Sequence, residues 1–200
     1  MEFSEVVRTR RMTRDFTGET VDRAVVERCL DLAVRSPSAG KTQGWRIVGL
    51  LGDDTAAYWD AALPVASRAS FAFPGLLRAG FVGVVTVSPS AYVERYSEPD
   101  KARTGLGAGR EGWPVPYWTV DGAMATMTFL HALHDEGLGA LFFAVAHEHD
   151  VRGALGIPAE SEIIGAVAAG YPVQGPVRKG ASAARRRRTG AEAVTWGRWT

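Results

Sequence analysis

The run Phe81-Val82-Gly83-Val84-Val85-Thr86-Val87 does not alternate between apolar and polar residues. A strand formed there has no side to give to water, so the fold must cover it on both faces. Ser88-Pro89 stops the run. Residues 140–145 and 163–169 are further short apolar runs that read as buried strands, and Trp45 to Leu51 alternates and is rich in β-branched residues, as a strand requires.

Helical patterns surround these segments. Residues 5–10 form a short helix with Ser4 as a candidate cap, and Asp22 starts another reaching about Val34, with Val25, Val26, Cys29, Leu30 and Ala33 on one face. Residues 54–66 are Ala-rich and helical, and a Pro74-Gly75 break precedes a short helical turn. Asp121 is a candidate cap for a long helix to about Glu136, with Ala123, Met124, Met127, Leu130, His131 and His134 near one stripe and Gly137-Leu138-Gly139 as its stop. Residues 148–155 make a short helix ended by Gly156-Ile157-Pro158. Two helices precede any strand, which departs from a doubly wound sheet and argues for an α/β or α+β sandwich.

Between 91 and 119 the pattern lapses into Tyr, Trp, Pro, Gly and charge, an excursion long enough to be functional or mobile. Within it, Gly107-Ala108-Gly109-Arg110-Glu111-Gly112 matches the dinucleotide-binding glycine pattern only formally, because no strand leads into it and Trp113-Pro114-Val115-Pro116 cannot start the required helix. The excursion gathers Tyr92, Tyr96, Trp113, Tyr117 and Trp118. It reads either as a flap packed on its own domain or as a lid, in which Trp113 and Tyr117 would stack on a planar substrate.

Two hundred residues, 46% of them apolar, suit one domain over 1–200 with that excursion and a basic tail over 173–200. The formal net charge of +1 argues against a general affinity for nucleic acid or acidic membranes, so the local arginine clusters need a local explanation. A lone cysteine, Cys29, excludes an intrachain disulfide. The start lacks the pattern of a signal peptide, and no window approaches the ~18 apolar residues of a spanning helix, so a cytoplasmic protein is expected.

No Gly-x-Ser-x-Gly elbow, Cys-His arrangement or distinctive carboxylate pair is present, and the histidine pairs 131/134 and 147/149 lack the companions of a metal site. Such a chain can still catalyse if a cofactor carries the chemistry. Arg8-Thr9-Arg10-Arg11-Met12-Thr13-Arg14 and Arg185-Arg186-Arg187-Arg188 can each grip an anion, although a solvated helix end and a solvated charge run are the plainer readings. Ser36-Pro37-Ser38-Ala39-Gly40-Lys41-Thr42-Gln43-Gly44-Trp45 offers hydroxyl and amide groups on a rigid frame.

Taken in order, the Arg10 to Arg14 cluster before Asp15-Phe16, the Pro37-Ser38-Ala39-Gly40-x-x-Gln43 loop, Gly137-Leu138-Gly139, Gly170-Tyr171-Pro172 and the Arg-rich tail ending at Trp196 resemble the flavin-dependent nitroreductase family over nearly the whole chain. The resemblance implies an α+β, three-layer α/β/α sandwich with a central mixed, largely antiparallel sheet, in an intertwined homodimer. It implies FMN as cofactor and NAD(P)H as reductant, with a small acceptor of nitroaromatic or quinone type reduced by a ping-pong mechanism. Arg10, Arg11 and Arg14 match its phosphate and ribityl ligands, and Met12 stands where a Ser is usual. Pro37, Ser38, Ala39 and Gln43 match the loop that reaches the flavin from the other subunit, with Lys41 for the customary Asn and Gly44 for the customary Pro.

Phe142, Phe143, Ala144 and Val145 match the strand end lying against the isoalloxazine, and Arg185 and Arg187 match the tail's phosphate ligands. The family's lysine near the flavin pyrimidine has no counterpart around Gly75, leaving Arg68, Arg78 or Lys41 for that task. Three other readings remain: a deazaflavin-using relative, a flavin-binding storage or sensing protein without turnover, and a nucleic-acid-binding module built on the tail arginines.

Overall fold

The computed structural model describes residues 1–175 and 184–199. Its centre is the apolar run: β2 (Phe81–Val87) is buried at all seven positions. β1 (Trp45–Leu51), β2, β3 (Gly139–Phe143) and β4 (Glu162–Gly170) form one sheet in the order β1-β2-β4-β3, with every neighbouring pair antiparallel.

Eight helices are described: α1 (Phe3–Thr9), α2 (Arg23–Ala33), α3 (Thr55–Ala62), α4 (Val65–Arg68), α5 (Pro89–Ser97), α6 (Tyr117–Asp135), α7 (Glu148–Leu155) and α8 (Gly190–Ala193). Successive side chains of a strand point to opposite faces, and the two faces of β2 and β4 feed two separate cores. On one face Val85 and Val167 meet Val26, Cys29 and Ala33 of α2 and Phe129 and Leu133 of α6. On the other, Val82, Val84, Ala166 and Ala168 meet Tyr58, Trp59 and Ala62 of α3 and Val151 of α7. Each large side chain so buried contributes about 1.5–3 kcal/mol, and the result is the three-layer α+β sandwich expected. Gly122 lets α6 lie close to the sheet, because a Cβ there would stand 2.6 Å from a methyl of Val87.

Local signals explain several boundaries. The Asp22 side chain accepts a hydrogen bond from the Ala24 amide and caps α2. Gly137, at φ 81°, takes the left-handed turn that lets the Leu138 amide reach back to the Leu133 carbonyl and close α6.

Four expectations need correction. Ser4 lies inside α1, whose cap position is Glu2, without a side-chain cap. The helix expected over 54–66 is broken after Ala62, since Pro64 cannot continue it, and resumes as α4. The region 91–119 is structured: Pro89 fills the first turn of α5, the Ser88 side chain accepts from the Ala91 amide, and 3-10 turns follow at Ala102–Thr104, Leu106–Ala108 and Arg110–Gly112. Finally, α6 starts directly after Pro116, so Asp121 is no cap but a buried residue of the helix interior. Asp121, Gly122, Ala125, Phe129 and Leu133 face inward, whereas Ala123 and Met124 of the expected stripe are exposed. Apolar residues on every side of this helix made its inner face ambiguous.

Candidate functional site

The arginine cluster follows α1 and runs beside the edge strand β3: Met12 bridges to Ala140, and the Thr13 amide donates to the Ala140 carbonyl at 2.9 Å. This draws Arg10 partly inward. Its Nε and Nη1 are buried and have no hydrogen-bond partner among the described residues. Burial first, then the neighbouring Arg187 and Arg11 cations, lower the Arg10 guanidinium from its ordinary value. His131 and His134 of α6 are drawn into the same group. Each is lowered first by burial and then by Arg10, with the His131 Nε2 also without a hydrogen-bond partner among the described residues and the His134 Nε2 2.8 Å from the Thr9 hydroxyl. Guanidinium groups set side by side, with buried N–H groups left without a partner among the described residues, suit an anion, while the carboxylates of Asp135 and Glu5 act on His134 from the other side.

The other arginines differ in their freedom. Arg11 Nη1 donates to the carbonyls of Arg8, Thr9 and Arg10 and closes the end of α1. Arg14 lies over the Phe73 ring at 5.3 Å and donates to the Met12 carbonyl. In the tail, Arg186 pairs with the Glu192 carboxylate and Arg188 donates to the Glu192 carbonyl. The side chains of Arg185 and Arg187 have no such tie among the described residues. Arg68 is bound to Asp60 and the Leu63 carbonyl, and Arg78 to Asp15 and the Phe16 carbonyl.

The loop over 36–44 is held from several sides. The Ala39 amide donates to Asp121 Oδ2 at 2.8 Å, the Gln43 amide to the Ser38 hydroxyl oxygen at 2.8 Å, and the Gln43 side chain to the Val34 carbonyl at 2.8 Å. Lys41 and Gln43 take left-handed backbone angles, φ 57° and 51°, at a cost of about 1–2 kcal/mol each. From behind, Arg95 Nε donates to the Gly40 carbonyl and the Ser88 amide to the Gly44 carbonyl. A Cβ at Gly44 would stand 2.6 Å from the Tyr92 ring, so the customary Pro has no room here. The outer side opens on a groove of about 730 Å³ lined by Asp31, Arg35, Pro37, Ser38, Lys41 and Gln43.

At the end of β3, Phe143 stacks on Trp59 at 6.0 Å and Phe142 lies against Gly165, whereas Ala144 follows the last paired residue and is exposed. The aromatic excursion packs upon itself. Trp113 is 8% exposed, meets Tyr92, Tyr96, Tyr117 and Trp118, and donates its Nε1 to the Leu106 carbonyl. Tyr117, at the start of α6, is 38% exposed.

Along α6 these parts are spread out. The loop meets the helix at Asp121, through the Ala39 amide, and at Thr128, whose hydroxyl lies 2.7 Å from that of Ser36, while His131 and His134 adjoin Arg10, and position 131 stands ten helical steps beyond 121, a rise of about 15 Å. The anchoring part of Asp121 and Tyr92 leaves little trace in the sequence: an acidic residue inside an otherwise apolar helix is its one signal, and the same residue type serves as a helix cap. His131 and His134, expected on one stripe of the helix without the companions of a metal site, stand instead beside Arg10.

The model of the nitroreductase family matches residues 7–171, which contain the arginine cluster, the loop and β3 but not the basic tail. The fold is similar to a nitroreductase family protein from Streptococcus pneumoniae TIGR4, with a TM-score of 0.74, 17% identity, and coverage of 98% of this chain and 100% of that one. A nitroreductase family protein from Clostridium difficile 630 gives a TM-score of 0.71 at 16% identity over the whole of both chains. One from Clostridium novyi NT gives 0.68 at 22% identity, covering 90% of this chain and 89% of that one. No match is found among curated proteins. A family match across most of the chain, on a fold that keeps the arginine cluster beside β3 and the loop beneath α5 and α6, leads to one assignment: the chain belongs to the nitroreductase family, a family of oxidoreductases.

Proposed function

We propose that the chain is an FMN-dependent oxidoreductase that takes hydride from NAD(P)H and passes it to a small aromatic acceptor of nitroaromatic or quinone type. The observation that carries this reading is Arg10, whose buried Nε and Nη1, beside Arg187, lack a partner among the described residues. A phosphate dianion would accept from both and neutralise the cluster. When bound, FMN supplies hydride transfer at its N5, and the protein supplies binding, orientation and shielding from water. Arg10, Arg185 and Arg187 would hold the phosphate. Arg14 and Met12 would lie along the ribityl chain, Arg11 would steady the end of α1, and the backbone of 142–145 would back the ring. Of the three candidates for charge near the pyrimidine, Lys41 is the one whose side chain has no hydrogen bond or ion pair among the described residues.

The distance along α6 argues that Pro37, Ser38, Ala39, Lys41 and Gln43 serve the cofactor of a second copy of the chain. Exposed Phe3, Val7, Val120 and Met124 would supply apolar surface for that copy to cover. Dilution, or truncation after Gly180, which lies outside the described residues, should then lower FMN affinity and stability together. Tyr117 is the acceptor contact in this reading, with Trp113 shaping it from beneath. Reductant and acceptor use one place in turn, so initial-rate kinetics should be ping-pong.

An absorption spectrum of the purified protein tests the core of the proposal. Flavin bands, present at once or gained on adding FMN, are expected, and their absence in both cases rejects it. Parallel titration with a deazaflavin decides between FMN and the altered pocket that Lys41 and Gly44 would also suit.

A further inference from the structure

Asp121 is a costly residue where it stands. It is 2% exposed, lies in the interior of α6 and has no Lys, Arg or His partner among the described residues. A carboxylate buried without a cation is unfavourable unless hydrogen bonds replace its water. Two do so, both at Oδ2: the Ala39 amide at 2.8 Å and the Tyr92 hydroxyl at 2.7 Å. One donor belongs to the loop and the other to α5.

Tyr92 is itself fully buried. Burial first, then the hydrogen bond to Asp121, push its hydroxyl up, while Ser38 and the Gly44 backbone act on the same oxygen in the opposite sense. Because Tyr92 gives its proton to Asp121, its oxygen can only accept from Ser38. The Ser38 oxygen in turn accepts from the Gln43 amide. These contacts run from the helix interior to Ala39 and, through Ser38, to Gln43, while the Ser38 carbonyl accepts from the Lys41 amide at 2.9 Å, so both left-handed residues of the loop, Lys41 and Gln43, are tied to Ser38. Backbone strain of that kind persists only where the surroundings over-determine it.

We propose that Asp121 and Tyr92 are positioning residues that hold the loop over 38–44 in the conformation that contacts the flavin ring and ribityl chain. The proposal rests on the flavin reading and adds residues that touch no cofactor themselves. It divides the site into a phosphate end governed by Arg10 and a ring end governed by the Asp121–Tyr92 pair. It also gives the aromatic segment beyond α5 a task as backing for the loop, since Trp113 and Trp118 pack on Tyr92.

The test is titration of the full-length apoprotein with FMN and with riboflavin, which has the ring and ribityl chain but no phosphate. Tyr92→Phe should weaken both ligands by the same factor, about tenfold, the worth of one well-placed hydrogen bond. Asp121→Asn should stay within about threefold of wild type, because an amide oxygen can accept from both the Ala39 amide and the Tyr92 hydroxyl. Amide hydrogen exchange on the ligand-free Tyr92→Phe variant should quicken at Ala39 and Gln43 and stay unchanged in β2 and β4. If wild type binds neither ligand, the flavin reading falls and the proposal falls with it. If wild type binds both and Tyr92→Phe binds them equally well, the flavin reading stands and the positioning role is wrong. Loss of FMN alone, or exchange that quickens uniformly across the sheet, would likewise overturn it in favour of a general structural role.

Discussion

The two ends of the site treat their polar groups in opposite ways. Around Arg10, buried N–H groups are left without partners among the described residues and cations stand next to cations. In the loop over 36–44, the amides of Ala39 and Gln43, the carbonyls of Gly40 and Gly44 and the Gln43 side chain are all engaged. The first arrangement stores unfavourable electrostatics that a ligand can relieve, and the second has already met the cost of its conformation within the fold. An anion binds where a protein is unsatisfied, whereas a planar group is oriented where the protein is rigid.

The contrast is most severely tested behind the loop. Trp113→Ala should cost about 3–5 kcal/mol of stability by emptying a buried aromatic site, read as a drop in denaturation midpoint. Tyr117→Ala, on the exposed side, should raise the Michaelis constant for an aromatic acceptor with little change in stability or FMN affinity. At the unsatisfied end the signs should reverse. Arg10→Ala should weaken FMN about a hundredfold, the loss of a charge-assisted pair, while riboflavin affinity stays level and the apoprotein melts no lower than wild type. An apoprotein that melts well below wild type would show that Arg10 is satisfied without a ligand.

A smaller effect is expected at Gly44. Gly44→Ala places a methyl 2.6 Å from the Tyr92 ring, and overpacking of this kind costs about 1–3 kcal/mol. The variant should weaken riboflavin and FMN alike.

The smallest effect is one of pH. Burial and Arg10 lower both His131 and His134 below their ordinary value of 6.5. Below that value the unfolded chain takes up protons that the folded chain refuses, so stability falls as pH drops from 7 through the depressed folded values and levels off beyond them. The double variant His131→Gln/His134→Gln should show a flatter melting temperature between pH 7 and 5. Bound FMN should flatten the wild-type curve too, because its phosphate offsets Arg10. A wild-type apoprotein more stable at pH 5 than at pH 7 would contradict this account.

Strands and helices with a strong period were legible in the sequence. The seven-residue runs of β1 and β2, the Asp22 cap and the glycine stops at 137 and 156 each carry their signal within a few residues. The arginine cluster and the loop were legible as pieces, because side-chain chemistry and spacing identify them. What the sequence could not convey is how those pieces are held. Asp121 stands about eighty residues from Ala39 and thirty from Tyr92, and nothing local marks it as their common acceptor. Likewise, the excursion lacks a period because its aromatic side chains pack against one another in a cluster of their own.

The span of α6 from Asp121 to His134 has a consequence for how such proteins can vary. One uninterrupted helix carries the anchor of the loop and the companions of Arg10, so it sets both the separation and the relative rotation of two recognition surfaces, like a ruler with a mark at each end. A single inserted or deleted residue between the marks would turn one end by about 100° and shift it by about 1.5 Å. Diversification of this segment is therefore confined to exchanging side chains at constant length, while the turns at Ala102–Thr104 and Leu106–Ala108 can lengthen or shorten without disturbing the gauge.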